Sequence, residues 1–496
     1  MGFEIDYLAL APELVIVVAI LGVLVLDLLL PRPLKYITAV VAVFGVSMAA
    51  IPLLVMAVDG TTRAMFDGSF TVDTFALVLK AIFVLSAYLV LLLSVSYIER
   101  DRFYQGEYYF LILCSLLGSM VMASSRDLIV LFIGLELTTA PLFLLAGWRK
   151  GDVKSNEASL KYYIIGVLSA ALLLYGMSLV YGLTGSVLFE DIRAAVADPG
   201  LASEPALGLA IILMLAGFGF KVSAVPFHAW APDTYEGSPT PVTAYLSVNS
   251  KAAGFVAMLI VLYQAVPGAS AVWAPALWIM AAASMIVGNL SALRQTNIVR
   301  LLAYSSIAQA GFMLVPFAAA GVAGTDLTDA FSATVIYLVI FAVMNLGAFA
   351  VVIAGARRTG TGEISGWAGL GSYDPKLGVL AAVFFFSLAG IPPLAGWFAK
   401  FVMFRSVMIA GGTATVVLAV IAAVNTVIAF YYYARIIKSV WLDEAPAVAL
   451  GDREAVPAGS LRLALAIAGV LTVLVGVFPT IASIFGDASR VLASSG

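Results

Sequence analysis

The sequence predicts an all-α polytopic membrane protein with about fourteen transmembrane helices, and three observations carry that prediction. The first is composition. Of 496 residues, 62% are hydrophobic and 11% charged. A soluble domain carries about 25% charged residues. No soluble fold of this length could hide so much apolar surface, so the solvent must be lipid. The second is segmentation into apolar runs long enough to span a bilayer, which takes roughly 20 residues each. The third is the distribution of lysine and arginine, which falls heavily on one side of the alternating runs.

The runs lie at 11–30, 36–58, 72–98, 107–124, 127–147, 158–183, 205–232, 239–265, 272–293, 298–318, 329–356, 376–409, 413–441 and 461–485. Glu4, Asp6 and Glu13 stand ahead of the first or at its very start, and the first basic residue is Arg32. A secretory signal needs a basic start, so the first run is expected to remain as a helix. If the loop holding Arg32 and Lys35 is cytoplasmic, alternation places sixteen basic residues on that side: Arg32, Lys35, Arg100, Arg102, Arg149, Lys150, Lys154, Arg294, Arg300, Arg357, Arg358, Lys376, Arg435, Lys438, Arg453 and Arg462. Arg63, Arg126, Arg193 and Arg490 fall on the other. That bias predicts an even number of spans with both termini outside the cytoplasm. Trp148, Trp273, Tyr373 and Trp441 sit near run ends, as in an aromatic belt. The longest connections are Leu183–Glu204, Arg357–Lys376 and Leu442–Ser460, so no soluble domain is expected.

The net charge of −3 argues against a nucleic-acid partner. A single cysteine, Cys114, excludes an internal disulfide, and with no CxxC or Cys/His cluster no zinc or iron–sulfur site is predicted. The Gly-rich loop Thr359–Trp367 follows no apolar strand, so it is not a dinucleotide fingerprint. No cofactor is expected in this chain.

Six basic residues fall inside the runs: Lys80, Lys161, Lys221, Lys251, Lys400 and Arg405. Burying one at a helix centre costs roughly 2.5–3.5 kcal/mol. Arg405 is near an outer end and can snorkel. Lys161, about a turn inside the cytoplasmic end, either snorkels or joins an internal path. Lys80 is either a path residue or a helix–helix contact. Glu136 lies about 14 Å into its helix and Lys251 about 15 Å into its own. Lys221 and Lys400 lie far from both ends of theirs. An ion pair of Glu136 with Lys221 as interhelical glue is one reading. A proton or ion path is the other, because desolvation loosens a lysine's proton and a nearby carboxylate holds it. His228, the sole histidine, is either a hydrogen-bonded structural residue or a member of that path. It stands seven residues after Lys221, on the same face if the segment were regular.

Pro226 and Pro232 interrupt the seventh run, and Pro392 and Pro393 the twelfth. Irregular backbone at membrane depth survives only where protein or water satisfies it. Breaks five helices apart predict two inverted five-helix repeats, helices 4–8 and 9–13, with helices 7 and 12 broken. The expected divisions are 1–106 for three N-terminal helices, 107–268 and 269–442 for the repeats, and 443–496 for a C-terminal helix.

Two stretches then show a resemblance. VPFHAWAPDTYEGSPTPVTAYLSVNSK (Val225 to Lys251) and GIPPLAGWFAKF (Gly390 to Phe401) resemble the antiporter-like subunits of respiratory complex I, the proton-translocating NADH–quinone oxidoreductase. The YEGSPTPV form is most similar to the subunit N branch. The likeness covers nearly the whole chain; the long lateral helix of the subunit L branch has no counterpart, and Lys400 stands where the subunit M branch carries a glutamate. By this resemblance Glu136 and Lys221 form a pair that Lys161 tunes, Lys251 is the central lysine and Lys400 the lysine near the exit, while His228 belongs to the signature. The resemblance further implies that flavin, NADH, iron–sulfur clusters and quinone bind in partner subunits. Those partners are the other membrane and peripheral subunits of the complex, including other antiporter-like subunits, in an energy-transducing membrane such as a bacterial inner membrane. A subunit of a multisubunit sodium/proton antiporter and a passive membrane scaffold are the rival expectations.

Overall fold

The computed structural model describes residues 5–99, 106–321, 327–445 and 459–494. Arg100, Arg102 and Arg453, used above for orientation, lie outside the described residues. The fold is a helical membrane bundle. Among the described residues eleven helical stretches are long and apolar enough to cross a membrane, and Glu107–Ala123, Pro205–Lys221 and Pro375–Ala389 are shorter apolar helices.

The N-terminal block holds α1 (Tyr7–Leu29), α2 (Tyr36–Asp59) and α3 (Thr74–Glu99). The Asp6 carboxylate caps α1 by accepting from the Leu8 and Ala9 amides. Glu13 therefore lies inside the helix rather than ahead of the first apolar run. Its carboxylate meets Lys80 Nζ on α3 at 2.7 Å, with 7% and 0% side-chain exposure, so Lys80 is a helix–helix contact. A small hairpin precedes α3: β1 (Arg63–Met65) pairs antiparallel with β2 (Phe70–Val72), Ala64 opposite Thr71.

Next come α4 (Glu107–Ala123), α5 (Leu128–Ala146) and α6 (Val153–Thr184). The connection after α6 is partly helical, as α7 (Phe189–Val196) and α8 (Pro199–Ala202). The seventh run divides into α9 (Pro205–Lys221) and α10 (Trp230–Gly237). The eighth is continuous over Thr240–Ala265, with α11 (Thr240–Tyr245), a π-helical stretch, α12 (Lys251–Ile260) and a second π-helical stretch. The second half holds α13 (Ser270–Leu293), α14 (Ile298–Ala319), α15 (Leu327–Thr359), the short α16 (Leu370–Tyr373), α17 (Pro375–Ala389), α18 (Ala395–Ala410) and α19 (Thr413–Leu442). The last expected run is not one helix: α20 (Gly459–Val477) and α21 (Thr480–Ser494) meet at Pro479, whose ring and missing N–H end the first of them.

Proline alone does not explain the two central breaks, since Pro52, Pro141, Pro275 and Pro316 stand inside continuous helices. What ends α9 and α17 is a left-handed residue, Ser223 (φ 59) and Gly390 (φ 91). Each is set in a Schellman cap: the Ser223 and Ala224 amides donate to the Phe220 and Gly219 carbonyls, and the Gly390 and Ile391 amides to Ser387 and Phe386. The prolines follow, Pro226 and Pro393 at the same distance from the left-handed residue. Pro232, by contrast, sits in the first turn of α10, where helix amides have no partner anyway, so it breaks nothing.

Other devices recur between the halves. Asp127 and Asn297 cap α5 and α14 and bridge to Leu188 and Glu363 after the following long helix. Gly118 and Gly288 let the neighbouring helix approach closely: a Cβ there would lie 2.4 Å from the Thr138 amide and 2.6 Å from the Ala308 amide.

The Glu13–Lys80 pair generates a stability prediction. Lys80→Ala strands a buried carboxylate and should cost about 3–5 kcal/mol, whereas the paired change Glu13→Leu with Lys80→Met should recover most of the loss. Thermal unfolding of the detergent-solubilised protein, followed by tryptophan fluorescence, compares them.

Candidate functional site

The site is a line of buried amines held by helix ends. The cap that ends α9 at Ser223 leaves Lys221 as its last helical residue, facing α5. Lys221 Nζ donates to Glu136 Oε1 at 2.9 Å and to Thr139 Oγ1 at 2.8 Å. The two partners are unequal in burial: 1% of the lysine side chain is exposed and 26% of the glutamate's. Glu136 lies beside an outward stripe of α5 that includes Ile133, Ala140 and Leu144. An ammonium sealed inside thus depends on a carboxylate that an outside charge can reach. Trp230 fixes the link between the half-helices, its Nε1 donating to the Phe220 carbonyl at 3.2 Å and its ring stacking on Tyr162 at 4.5 Å.

Lys251 follows directly on the π-helical stretch Leu246–Ser250, a departure from α geometry common at functional positions. Its Nζ donates to the Ser306 carbonyl of α14 at 2.6 Å. One turn on, Gly254 packs against Lys221: a Cβ there would lie 2.8 Å from the Lys221 Cβ. Lys400 points back across the second break, its Nζ donating at 2.7 Å to the carbonyl of Ala389, the last residue of α17. Carbonyls at a helix C-terminus carry a partial negative charge that suits a cation. Among the described residues neither Lys251 nor Lys400 makes an ion pair.

The structure does not join the other two sequence-predicted residues to this line. Lys161 pairs with Asp233 and Glu157, both at 2.6 Å, with 41% of its side chain exposed. His228 lies in the non-helical link 222–229, so it shares no helix face with Lys221, and its buried Nδ1 has no hydrogen-bond partner among the described residues. Arg405 is exposed near the end of α18.

Sequence reasoning missed a charged cluster and several neutral groups. Arg300 on α14 donates to Asp233 at 2.8 Å and Glu236 at 2.9 Å, and Lys154 on α6 reaches Glu236 at 2.9 Å, so α10 is held between the two halves. Thr139 was findable, one turn beyond Glu136 on the same face. Gln309 and Tyr337, hydrogen-bonded at 2.7 Å, had no comparable signal.

Residues 125–426 match the family described as "NADH:quinone oxidoreductase/Mrp antiporter, TM". The chain is 42% identical over 427 residues to NADH-quinone oxidoreductase subunit N of Trichlorobacter lovleyi, covering 86% of this chain and 85% of that one. A chain in the structure of respiratory complex I from Thermus thermophilus with bound aureothin is 33% identical, with a TM-score of 0.77 over 95% of this chain and 98% of that one. A chain of the Mrp complex from Dietzia overlays at TM-score 0.84 over 99% of this chain and 98% of that one, at 20% identity, which shows a shared fold alone.

The Gly254 contact supplies a test of the geometry. Gly254→Val should push Lys221 off Glu136, lengthening the 2.9 Å contact beyond hydrogen-bond range, which a cryo-EM map of the variant measures.

Proposed function

The chain belongs to the NADH:quinone oxidoreductase/Mrp antiporter family of membrane subunits, and from that premise we propose that it is the N-type proton-translocating subunit of a NADH–quinone oxidoreductase. The observation that carries the proposal is the unequal Lys221–Glu136 pair, with its amine sealed in and its carboxylate partly open. NADH oxidation and quinone reduction belong to other subunits, which hold the flavin and iron–sulfur clusters. The chain sits in an energy-transducing membrane, a bacterial inner membrane, with both termini on the periplasmic side. The segments 107–268 and 269–442 are inverted repeats between the three N-terminal helices of 1–106 and the C-terminal 443–496. The matched Schellman caps, N-caps and bridges support that division.

The mechanism is electrostatic. A charge change in a neighbouring subunit acts on the open side of Glu136 and weakens its hold on Lys221. Lys221, released from its counter-ion, then gives up a proton. It passes through water to Lys251 and on to Lys400, which releases it to the outside. Lys161 acts at a distance: by holding Asp233 it fixes α10 and the link that carries His228.

The antiporter-subunit reading shares this fold, but the Mrp chain is 20% identical against 42% for the subunit N relative, and the higher identity favours the oxidoreductase. Co-purification separates the readings, because only the oxidoreductase requires NADH-oxidising partners. Lys400→Ala and Glu136→Ala should each lower the protons pumped per electron in reconstituted vesicles while leaving an assembled complex on a native gel. An assembled Lys400→Ala complex that pumps at the parental ratio defeats the proposal. Loss of assembly without loss of coupling would mark a passive scaffold.

A further inference from the structure

Between Lys251 and Lys400 the relay needs a further group. Successive turns of α14 reach both. Lys251 Nζ donates to the Ser306 carbonyl at 2.6 Å. One turn on, the buried Gln309 side chain donates from Nε2 to the Leu388 carbonyl at 3.1 Å. Phe312, three residues further, lies under Lys400, its ring centroid 5.1 Å from Nζ. Residues three apart share a helix face, and these three positions span about 9 Å.

The amide of Gln309 is fixed at both ends. A main-chain carbonyl only accepts, so the end facing Leu388 must be the NH2. The other end, Oε1, accepts from the Tyr337 hydroxyl at 2.7 Å and keeps a second lone pair. Leu388 and Ala389 are the last two residues of α17. Gln309 takes the carbonyl of one and Lys400 that of the other. One turn back on α14 the Ser306 hydroxyl is buried, faces the Tyr235 hydroxyl and closes no hydrogen bond among the described residues.

The contact also has a counterpart in the first half. Counted from the N-caps Asp127 and Asn297, Glu136 and Ser306 hold the same place, and so do Thr139 and Gln309. Counted from the left-handed residues Ser223 and Gly390, Lys221 and Leu388 hold the same place. The Gln309–Leu388 contact therefore stands in the second half where the Thr139–Lys221 contact stands in the first. Neutral groups replace the ion pair.

We infer that Gln309, with its amide oriented by Tyr337, is a positioning residue of the relay, which holds one of the waters in the chain that joins Lys251 to Lys400. Its Oε1 supplies the acceptor for that water. Its Nε2 keeps the end of α17 turned so that the Ala389 carbonyl meets Lys400. The amide itself takes no proton. An N–H bond of the Lys251 ammonium breaks as an O–H bond forms on the first water. About 9 Å needs more than one water: each takes one proton and passes on another, and the last O–H bond breaks as an N–H bond forms on Lys400, so every water is returned and nothing is oxidised. The inference rests on the relay reading given above.

The test uses the whole complex in vesicles, with protons pumped per electron as the readout and assembly followed separately by NADH–ferricyanide reductase activity on a native gel. Gln309→Met keeps the side chain's length and removes its acceptor. It should assemble normally and pump severalfold fewer protons per electron. Gln309→His, which restores a polar group, should recover most of the ratio, and Tyr337→Phe should give an intermediate loss. A residue that merely packs would tolerate methionine, so an assembled Gln309→Met complex that pumps at the parental ratio overturns the inference. If that variant does not assemble, Tyr337→Phe decides: a lowered ratio supports the role and a parental ratio overturns it. Lys400→Ala is run alongside. If it too pumps normally, the relay as a whole fails. If only it is impaired, Gln309 alone loses its role.

Discussion

A lysine ammonium in a low-dielectric interior must have a partner, and the protein meets that requirement in three different ways. Lys80 is held by Glu13 with both groups buried, a closed pair that no outside charge reaches. Lys221 is held by a carboxylate that is partly open. Among the described residues Lys251 and Lys400 hydrogen-bond only to main-chain carbonyls, and Lys400 also lies over the Phe312 ring. Burial strips hydration from each ammonium, and a carboxylate offsets more of that cost than a neutral carbonyl does. The series therefore runs from a structural clamp through a switchable pair to amines on weak, neutral support.

The broken helices follow from the same constraint. A continuous helix satisfies its own carbonyls and offers little to a neighbouring cation. Ending α9 and α17 inside the bundle places Lys221 at one terminus and frees the Ala389 carbonyl at the other for Lys400. The Schellman caps close the remaining backbone groups, as buried polar atoms in lipid require. Trp230 and Trp397 pin the second half-helices through bonds to the Phe220 and Gly476 carbonyls. Each break thus brings a helix end to a buried amine.

Much of this was legible in the sequence. Apolar runs located the helices, because lipid enforces their length, and the deep lysines stood out because charge is costly there. The prolines marked both breaks, although the residues that end the helices are Ser223 and Gly390, and a serine carries no sign of a left-handed backbone. The pairing of Glu136 with Lys221, 85 residues apart, came from the resemblance, with the charges allowing it. His228 shares no face with Lys221 because the link after Lys221 is not regular, and nothing in the spacing showed that Lys161 would meet Asp233, 72 residues away. Glu13 was read as a flanking acid, since nothing local shows that α1 starts at Tyr7 and brings it against Lys80. Gln309 was invisible for a similar reason: its meaning depends on Leu388, 79 residues away.

The central claim is that Glu136 and Lys221 act as one unit in moving a proton, and a double-mutant cycle on pumping addresses it most directly. Protons pumped per electron would be measured for Glu136→Ala, Lys221→Ala and the double variant in the assembled complex. A single functional unit predicts that the double variant pumps about as well as the worse single one. Losses that multiply, as for two independent sites, would contradict it.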